Sequence, residues 1–153
     1  LYDLRPDELL MVDDLKPGYD MAHACGVPFA CAGWSHDDPE IRAFLRRFSE
    51  NRLVKAAMFG ADANWGRVLC AIGYSGAEVD VNKVDVSFSS KAGTVDVCKD
   101  GAGIPFDEEV AKKVLLEDEV DIIVELHDGE GHAEAYGCDL TYEYVRINGD
   151  YRT

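Results

Sequence analysis

The sequence predicts an α+β fold, in which antiparallel hairpins form a sheet and helices pack on it. Val84, Val86 and Phe88 alternate with polar residues, and so do Val95 and Val97, which is the period of half-buried strands. Residues 91–93 separate the two runs and are typical of a turn. Residues 65–74 instead follow the helical period, and their predicted buried positions are Val68, Leu69, Ala71 and Ile72. This mixture favours helices laid on an antiparallel sheet.

The first fifty residues show a different pattern, typical of a small α/β unit. Residues 9–12 and 28–32 resemble short buried parallel strands, and residues 19–25 suit a helix between them. Asp37-Asp38-Pro39-Glu40 is a good helix start, and the following helix is expected to end near Ser49. The strand pattern changes at residues 48–52. We therefore predict two units, residues 1–50 and residues 51–153.

The second unit is predicted to contain further elements in a definite order. Residues 53–59 are apolar enough for a strand or for the start of a helix, and residues 60–64 form a turn. Asp107 is expected to cap a helix over residues 108–116, and residues 120–126 form a strand. Residues 128–131 and 132–136 should complete a second hairpin. Asp139 or Thr141 then caps a final helix over residues 142–147, which residues 148–150 end.

Charge and composition exclude several classes of protein. Thirty acidic residues against 15 Lys and Arg give a formal net charge of −15, which opposes binding to nucleic acid or to an anionic membrane. Without an apolar run of membrane-spanning length or a signal peptide, the chain is expected to be cytoplasmic. Five cysteines, at positions 25, 31, 70, 98 and 138, indicate buried thiols in a reducing compartment.

Three blocks of the second unit closely resemble the carboxyl-terminal part of the ornithine acetyltransferase (glutamate N-acetyltransferase) family. They are residues 53–67, which include Asn64-Trp65-Gly66-Arg67, residues 135–145, which include Gly137-Cys138-Asp139-Leu140, and residues 147–153. The resemblance implies part of an α/β/β/α acetyltransferase fold. It also implies a multifunctional, autocatalytically cleaved enzyme of arginine biosynthesis, which moves acetyl from N-acetylornithine to glutamate. Some members also accept acetyl-CoA.

The resemblance also implies which site residues this chain carries. Asn148 and Thr153 match substrate-binding positions, whereas the family's Thr nucleophile lies upstream of the matching region, so no catalytic residue is expected in this chain. N-acetylornithine, glutamate and ornithine are the implied ligands. The implied protein partners are an upstream α chain or missing amino-terminal part, in a homo- or hetero-oligomer. No cofactor and no metal are expected, and the isolated chain is expected to be inactive.

Arg67 and residues 128–131 each allow a second interpretation. Arg67 could clamp a carboxylate, although a helix cap with a packed Trp65 is the preferred reading. Residues 128–131 are read as a hairpin turn, across which His127 and His132 could face each other without making a metal site.

The first unit has a resemblance of its own. Residues 9–28 resemble the end of a haloacid dehalogenase-type phosphatase, in which Asp13 and Asp14 would help to hold Mg²⁺. A phosphatase remnant and a non-enzymatic interaction module, which would self-associate through bare sheet edges, are therefore the alternative functions.

Overall fold

The structure is a computed structural model that describes residues 11–13, 29–31, 39–129 and 131–150. β1 (Met11–Asp13) and β2 (Phe29–Cys31) pair in parallel, with Val12 opposite Ala30. This confirms the two short parallel strands predicted near the amino terminus. The helix predicted over residues 19–25 and the residue Asp14 lie outside the described residues, as does the side chain of Asp13.

Three helices follow, α1 (Pro39–Ser49), α2 (Arg52–Phe59) and α3 (Trp65–Tyr74). Residues 53–59 are helical because the side-chain oxygen Oδ1 of Asn51 accepts the N–H groups of Leu53 and Val54 at 3.0 and 3.2 Å, which caps the first turn of α2. Of the four residues predicted to be buried in α3, Val68, Ala71 and Ile72 are buried and Leu69 is partly buried.

Helix α1 packs on the same core as the rest of the chain. Its rings Phe44 and Phe48 stack with centroids 6.3 Å apart and lie against the buried cluster. The guanidinium of Arg47 donates to the carbonyl of Ser75 just beyond α3, at 2.6 Å. The segment that precedes the predicted junction is therefore in contact with the segment that follows it.

A four-stranded antiparallel sheet forms the centre of the fold. Its strands are β3 (Asp85–Ser90), β4 (Gly93–Lys99), β5 (Ala102–Gly103) and β6 (Asp121–Glu125), in the order β5-β4-β3-β6. Helix α4 (Glu108–Leu115), capped by the Asp107 carboxylate, packs on β3 and β4. The core lies between the sheet and helices α3 and α4, and its members are Ala63, Val68, Ile72, Val84, Val86, Phe88, Val95, Val97, Cys98, Ala111, Val114 and Leu115. The α+β class and the first hairpin are confirmed.

The second predicted hairpin is wrong, because β6 pairs with β3 instead of with residues 132–136. This register sets Ile122 opposite Phe88 and Val124 opposite Val86, so the apolar face of β6 extends the core. Residues 131–140 are in neither helix nor strand. This segment carries small, polar or exposed side chains, so pairing it with β6 would bury little apolar surface.

The final helix, α5 (Tyr142–Asp150), is longer than predicted. The Thr141 hydroxyl accepts the N–H of Tyr144 at 2.9 Å, which confirms Thr141 as the capping residue. Asn148 does not end the helix, because its side-chain amide donates to the Tyr144 carbonyl one turn earlier, at 2.8 Å, and fits within the helix. No helix in the described part of the chain is both long enough and apolar enough to cross a membrane.

Candidate functional site

Two of the three resembling blocks, about 80 residues apart in sequence, meet in the structure. The Lys55 ammonium donates to the Cys138 sulfur at 3.5 Å, and the N–H of Leu140 donates to the Lys55 carbonyl at 3.2 Å. The rings of Phe59 and Tyr142 contact edge to face, with centroids 5.0 Å apart. These contacts fix the start of α5 against α2, and the third block begins near the other end of the same helix, at Ile147.

Two helix caps set the geometry of the first block. Asn51 begins α2 and thereby fixes the direction in which Lys55 and Phe59 project. Asn64 begins α3, where its side-chain oxygen accepts the N–H of Arg67 at 3.1 Å. The sequence encodes both caps locally, since Asn is among the preferred residues at this helix position.

Trp65 and Arg67 join the first block to its surroundings. The indole of Trp65 lies so close to Gly103 in β5 that a Cβ added there would come within 2.5 Å of the ring. Arg67 donates from one guanidinium nitrogen to the carbonyl of Leu53, at 3.3 Å, which links α3 to α2. The helix cap and the packed Trp65, which were preferred to a carboxylate clamp, are therefore both present.

Asn148 lies on the exposed surface of α5. Its amide nitrogen donates to Tyr144, and its position on the outer side of the helix leaves the carboxamide open to solvent. Thr153 lies outside the described residues. The substrate-binding role of this pair stays a prediction.

The rest of the α5 surface is unusually apolar for an exposed helix. Tyr142, Tyr144, Val145 and Ile147 are each more than half exposed. Beside them, Arg146 pairs with Glu143 one turn earlier, and this hydrogen bond raises the pKa of the Arg146 guanidinium. Contiguous exposed apolar side chains rimmed by charged ones are typical of a surface that binds another protein segment.

The cysteines differ in exposure more than the sequence suggested. Cys98 is buried, and this burial raises the pKa of its thiol. Cys70 is partly buried, whereas Cys138 is exposed, because it lies in the irregular segment where the second hairpin was expected. All three thiols are free, and Cys25 and Cys31 have no described side chains.

His127 is placed differently from the sequence-based expectation. Its Nε2 lies 3.0 Å from a carboxylate oxygen of Asp85 and 3.6 Å from one of Glu125. The hairpin that would have set it opposite His132 does not form. Because β6 pairs with β3, a residue just beyond β6 meets the first residue of β3, and no short-range motif in the sequence signals this proximity.

The fold is thus an α+β unit in which two segments distant in sequence are joined. The sequence model of the ArgJ family matches residues 34–153, which is most of the chain. The chain therefore belongs to the ArgJ family, whose members are acetyltransferases.

Several relatives support this membership. The chain is 58% identical over 103 residues to the arginine biosynthesis bifunctional protein ArgJ 1 of Clostridium acetobutylicum, covering 67% of this chain and 25% of that protein. It is 45% identical over 130 residues to the glutamate N-acetyltransferase of Methanopyrus kandleri, covering 85% of this chain and 33% of that protein. The chain thus spans about a quarter to a third of the length of these curated relatives.

A solved structure agrees in fold. The crystal structure of the arginine biosynthesis bifunctional protein ArgJ from Bacillus halodurans is 43% identical, with a TM-score of 0.66, and the match covers 78% of this chain and 55% of that chain. None of these findings supports the phosphatase resemblance of the first unit, and the ArgJ match begins at residue 34, inside it. The division between residues 50 and 51 stays a prediction.

Proposed function

We propose that this chain is the carboxyl-terminal part of a glutamate N-acetyltransferase of arginine biosynthesis, which moves acetyl from N-acetylornithine to glutamate. The observation that carries the proposal is the ArgJ family match over residues 34–153, together with relatives named for this activity. In this proposal the chain contributes substrate-binding residues and not the nucleophile. The isolated chain does not catalyse acetyl transfer.

The reaction explains why a second polypeptide part is needed. A Thr hydroxyl attacks the acetyl carbonyl of N-acetylornithine, the amide C–N bond breaks, and ornithine leaves with a proton while acetyl remains on the Thr oxygen. The amine of glutamate then attacks this ester and releases N-acetylglutamate. A free α-amino group on the same Thr, with a pKa near ~8, is a suitable base for its hydroxyl. That Thr belongs to the upstream part of the family's chain.

The surface of α5 supports a partner of this kind. Its exposed apolar side chains, described above, are costly to leave in water and would gain from contact with another segment. The upstream part of the same protein is the proposed partner, since the curated relatives are three to four times longer than the region this chain matches.

Asn148 and Thr153 are the proposed substrate ligands. Asn148 offers a carboxamide donor and acceptor to the amino and carboxylate groups of an amino acid. Its side chain is exposed on α5, and although one amide N–H donates to the Tyr144 carbonyl, its oxygen and second N–H are left for a ligand. Thr153 follows five residues after Asn148 in the sequence and would add its hydroxyl to the same ligand.

The test reconstitutes the enzyme from two parts. The preceding part of the Clostridium acetobutylicum relative is co-expressed with this 153-residue chain, and N-acetylglutamate formed from N-acetylornithine and glutamate is measured by mass spectrometry. We expect product only when both parts are present. A complex that is verified by gel filtration but transfers no acetyl would reject the proposal.

A matched pair of variants tests the role of Asn148 in this complex. Asn148→Ala should lower kcat/KM by roughly five- to 100-fold, because it leaves polar groups of the substrate without a partner. Asn82→Ala is the control, since Asn82 is also exposed but lies in the short 3-10 helix Val81–Lys83, where it bonds to Asp80. Equal effects of the two substitutions would contradict a ligand role for Asn148.

A further inference from the structure

Three metal-ligating side chains gather where β3 begins and β6 ends. Asp85 and Glu125 face each other directly across these two antiparallel strands, and His127 follows two residues after Glu125. One ligand atom from each residue lies within 4.8 Å of the others. The cluster is at one end of the sheet, and its residues are distinct from those that join α2 to α5.

The surrounding backbone orients two of these side chains. The N–H of Asp100 donates to one carboxylate oxygen of Asp85 at 2.8 Å, which leaves the other oxygen directed at His127. Asp100 and His127 have φ angles of +49° and +50°, in the left-handed region that few non-glycine residues adopt. Asp100 lies in the turn after β4 and His127 lies two residues beyond β6, so both follow directly on the strands that position them.

The electrostatics of the cluster favour a bound cation. Two carboxylates directly opposed on an antiparallel pair repel each other. Lys99 is the cation that acts on Asp85 from β4, whereas Asp100 adds a further negative charge nearby.

There is also room to complete a coordination shell. Asp85 and Glu125 border a half-open groove of about 260 Å³ on the sheet face opposite the helices. Ser87, Asp96, Lys99 and Ile123 also line this groove. Water can therefore reach a cation held by the three side chains from the groove side.

We propose that Asp85, Glu125 and His127 bind a first-row divalent metal ion, with Zn²⁺ favoured. One imidazole and two carboxylates are a donor set that suits Zn²⁺ and Mn²⁺, and a fourth, water-filled position is common when the protein gives three ligands. Ca²⁺ needs six to eight oxygen ligands, which this cluster does not offer. The ion would tie β3 to β6, and this role is independent of acetyl transfer.

Mn²⁺ is the probe that locates the site in the 153-residue chain. It is paramagnetic and broadens nearby amide signals in a proton–nitrogen NMR spectrum, and it prefers carboxylate and imidazole ligands over the five thiols. At low Mn²⁺ we expect the amides of residues 85, 100, 125 and 127 to broaden first. The acidic run of residues 117–119, in which Asp118 and Glu119 are exposed, is the internal control. Broadening that is equally strong at residues 117–119 would overturn the proposal.

Competition and substitution then test the ligands. Zn²⁺ in excess over the cysteines should reverse the Mn²⁺ broadening at the cluster, because a site with imidazole binds Zn²⁺ more tightly than Mn²⁺. His127→Gln should raise the Zn²⁺ concentration needed by more than about tenfold, since even loss of an outer-shell partner costs about 10- to 100-fold.

Asp85→Asn and Glu125→Gln should remove the local Mn²⁺ broadening, and each spectrum also reports whether the variant is folded. His132→Gln is the matched control, because His132 is exposed and lies outside the cluster. Unchanged Zn²⁺ competition in His127→Gln would refute the proposal, and so would an equal effect of His132→Gln.

Discussion

Gly101, in the turn between β4 and β5, is the position where adding one methyl group should lower the free energy of unfolding most. Its φ of +73° lies in the left-handed region, and its N–H donates to the carbonyl of Val84 at 2.8 Å. A Cβ at this position would stand 2.1 Å from the carbonyl oxygen of Val81 and 2.9 Å from its carbon. These are backbone atoms, so they cannot move aside as a flexible side chain would.

The cost of Gly101→Ala has two parts. Placing a non-glycine residue in the left-handed region costs about 1 to 2 kcal/mol. Forcing extra volume into a closely packed place costs typically about 1 to 3 kcal/mol. We therefore expect the free energy of unfolding to fall by about 2 to 5 kcal/mol, and the melting temperature to fall by roughly 4 to 20 °C for a domain of this size.

Urea unfolding followed by circular dichroism measures this loss, with Gly73→Ala as the control. Gly73 lies in α3, where an added Cβ meets nothing within 4 Å, so the same substitution should stabilise the chain by about 0.5 to 1 kcal/mol. The two substitutions should change the free energy of unfolding in opposite directions, which separates the steric clash at Gly101 from the general effect of replacing Gly by Ala. If Gly101→Ala unfolds at the same urea concentration as the parent, the turn geometry described above is wrong.

Three further predictions concern the core, Asp85 and the thiols. Phe88→Ala should lower the free energy of unfolding by about 3 to 5 kcal/mol, because Phe88 is fully buried, whereas Ser89→Ala on the opposite sheet face should cost about 1 kcal/mol or less, as measured by urea unfolding. The lowered pKa of Asp85 means that its carboxylate stabilises the folded state above its unfolded pKa of about 3.9 and loses this contribution as the pH falls through the lower folded value. The stability difference between the parent and Asp85→Asn should therefore shrink in acid, and a difference that grows on acidification would contradict this sign. Iodoacetamide should modify Cys138 rapidly and Cys98 only on unfolding, and equal rates in peptide mass spectra would contradict their exposures.

Elements that are encoded by short-range signals were predictable from the sequence. Asp107 and Thr141 predict the starts of α4 and α5, because a capping side chain acts within its own turn. The β3–β4 hairpin is equally local, since alternation and a short turn specify it. Asn51 carries the same kind of signal, since as a capping residue it favours a helix over a strand for residues 53–59.

Pairings between distant segments were not predictable in the same way. The sequence predicts strand β6 itself. Its pairing with β3, however, depends on the apolar side chains of Val86 and Phe88, about 35 residues earlier. Alternation states which face of a strand is buried and does not state which strand lies beside it. The predicted pairing of β6 with residues 132–136 sets His127 opposite His132. Its proximity to Asp85 is therefore seen only in the structure.

The resemblance and the structure support the candidate site by different routes. The resemblance singled out residues 53–67 and 135–145 without any reason for them to be neighbours, whereas the structure joins them through Lys55, Leu140 and the Phe59–Tyr142 contact. Family likeness and spatial proximity are independent, because a chance sequence match does not require its parts to meet. The convergence therefore makes α5 the helix of this chain where a substituted residue most directly tests the proposed acetyl transfer. Asn148 is the residue to substitute, since it lies on that helix with an exposed side chain.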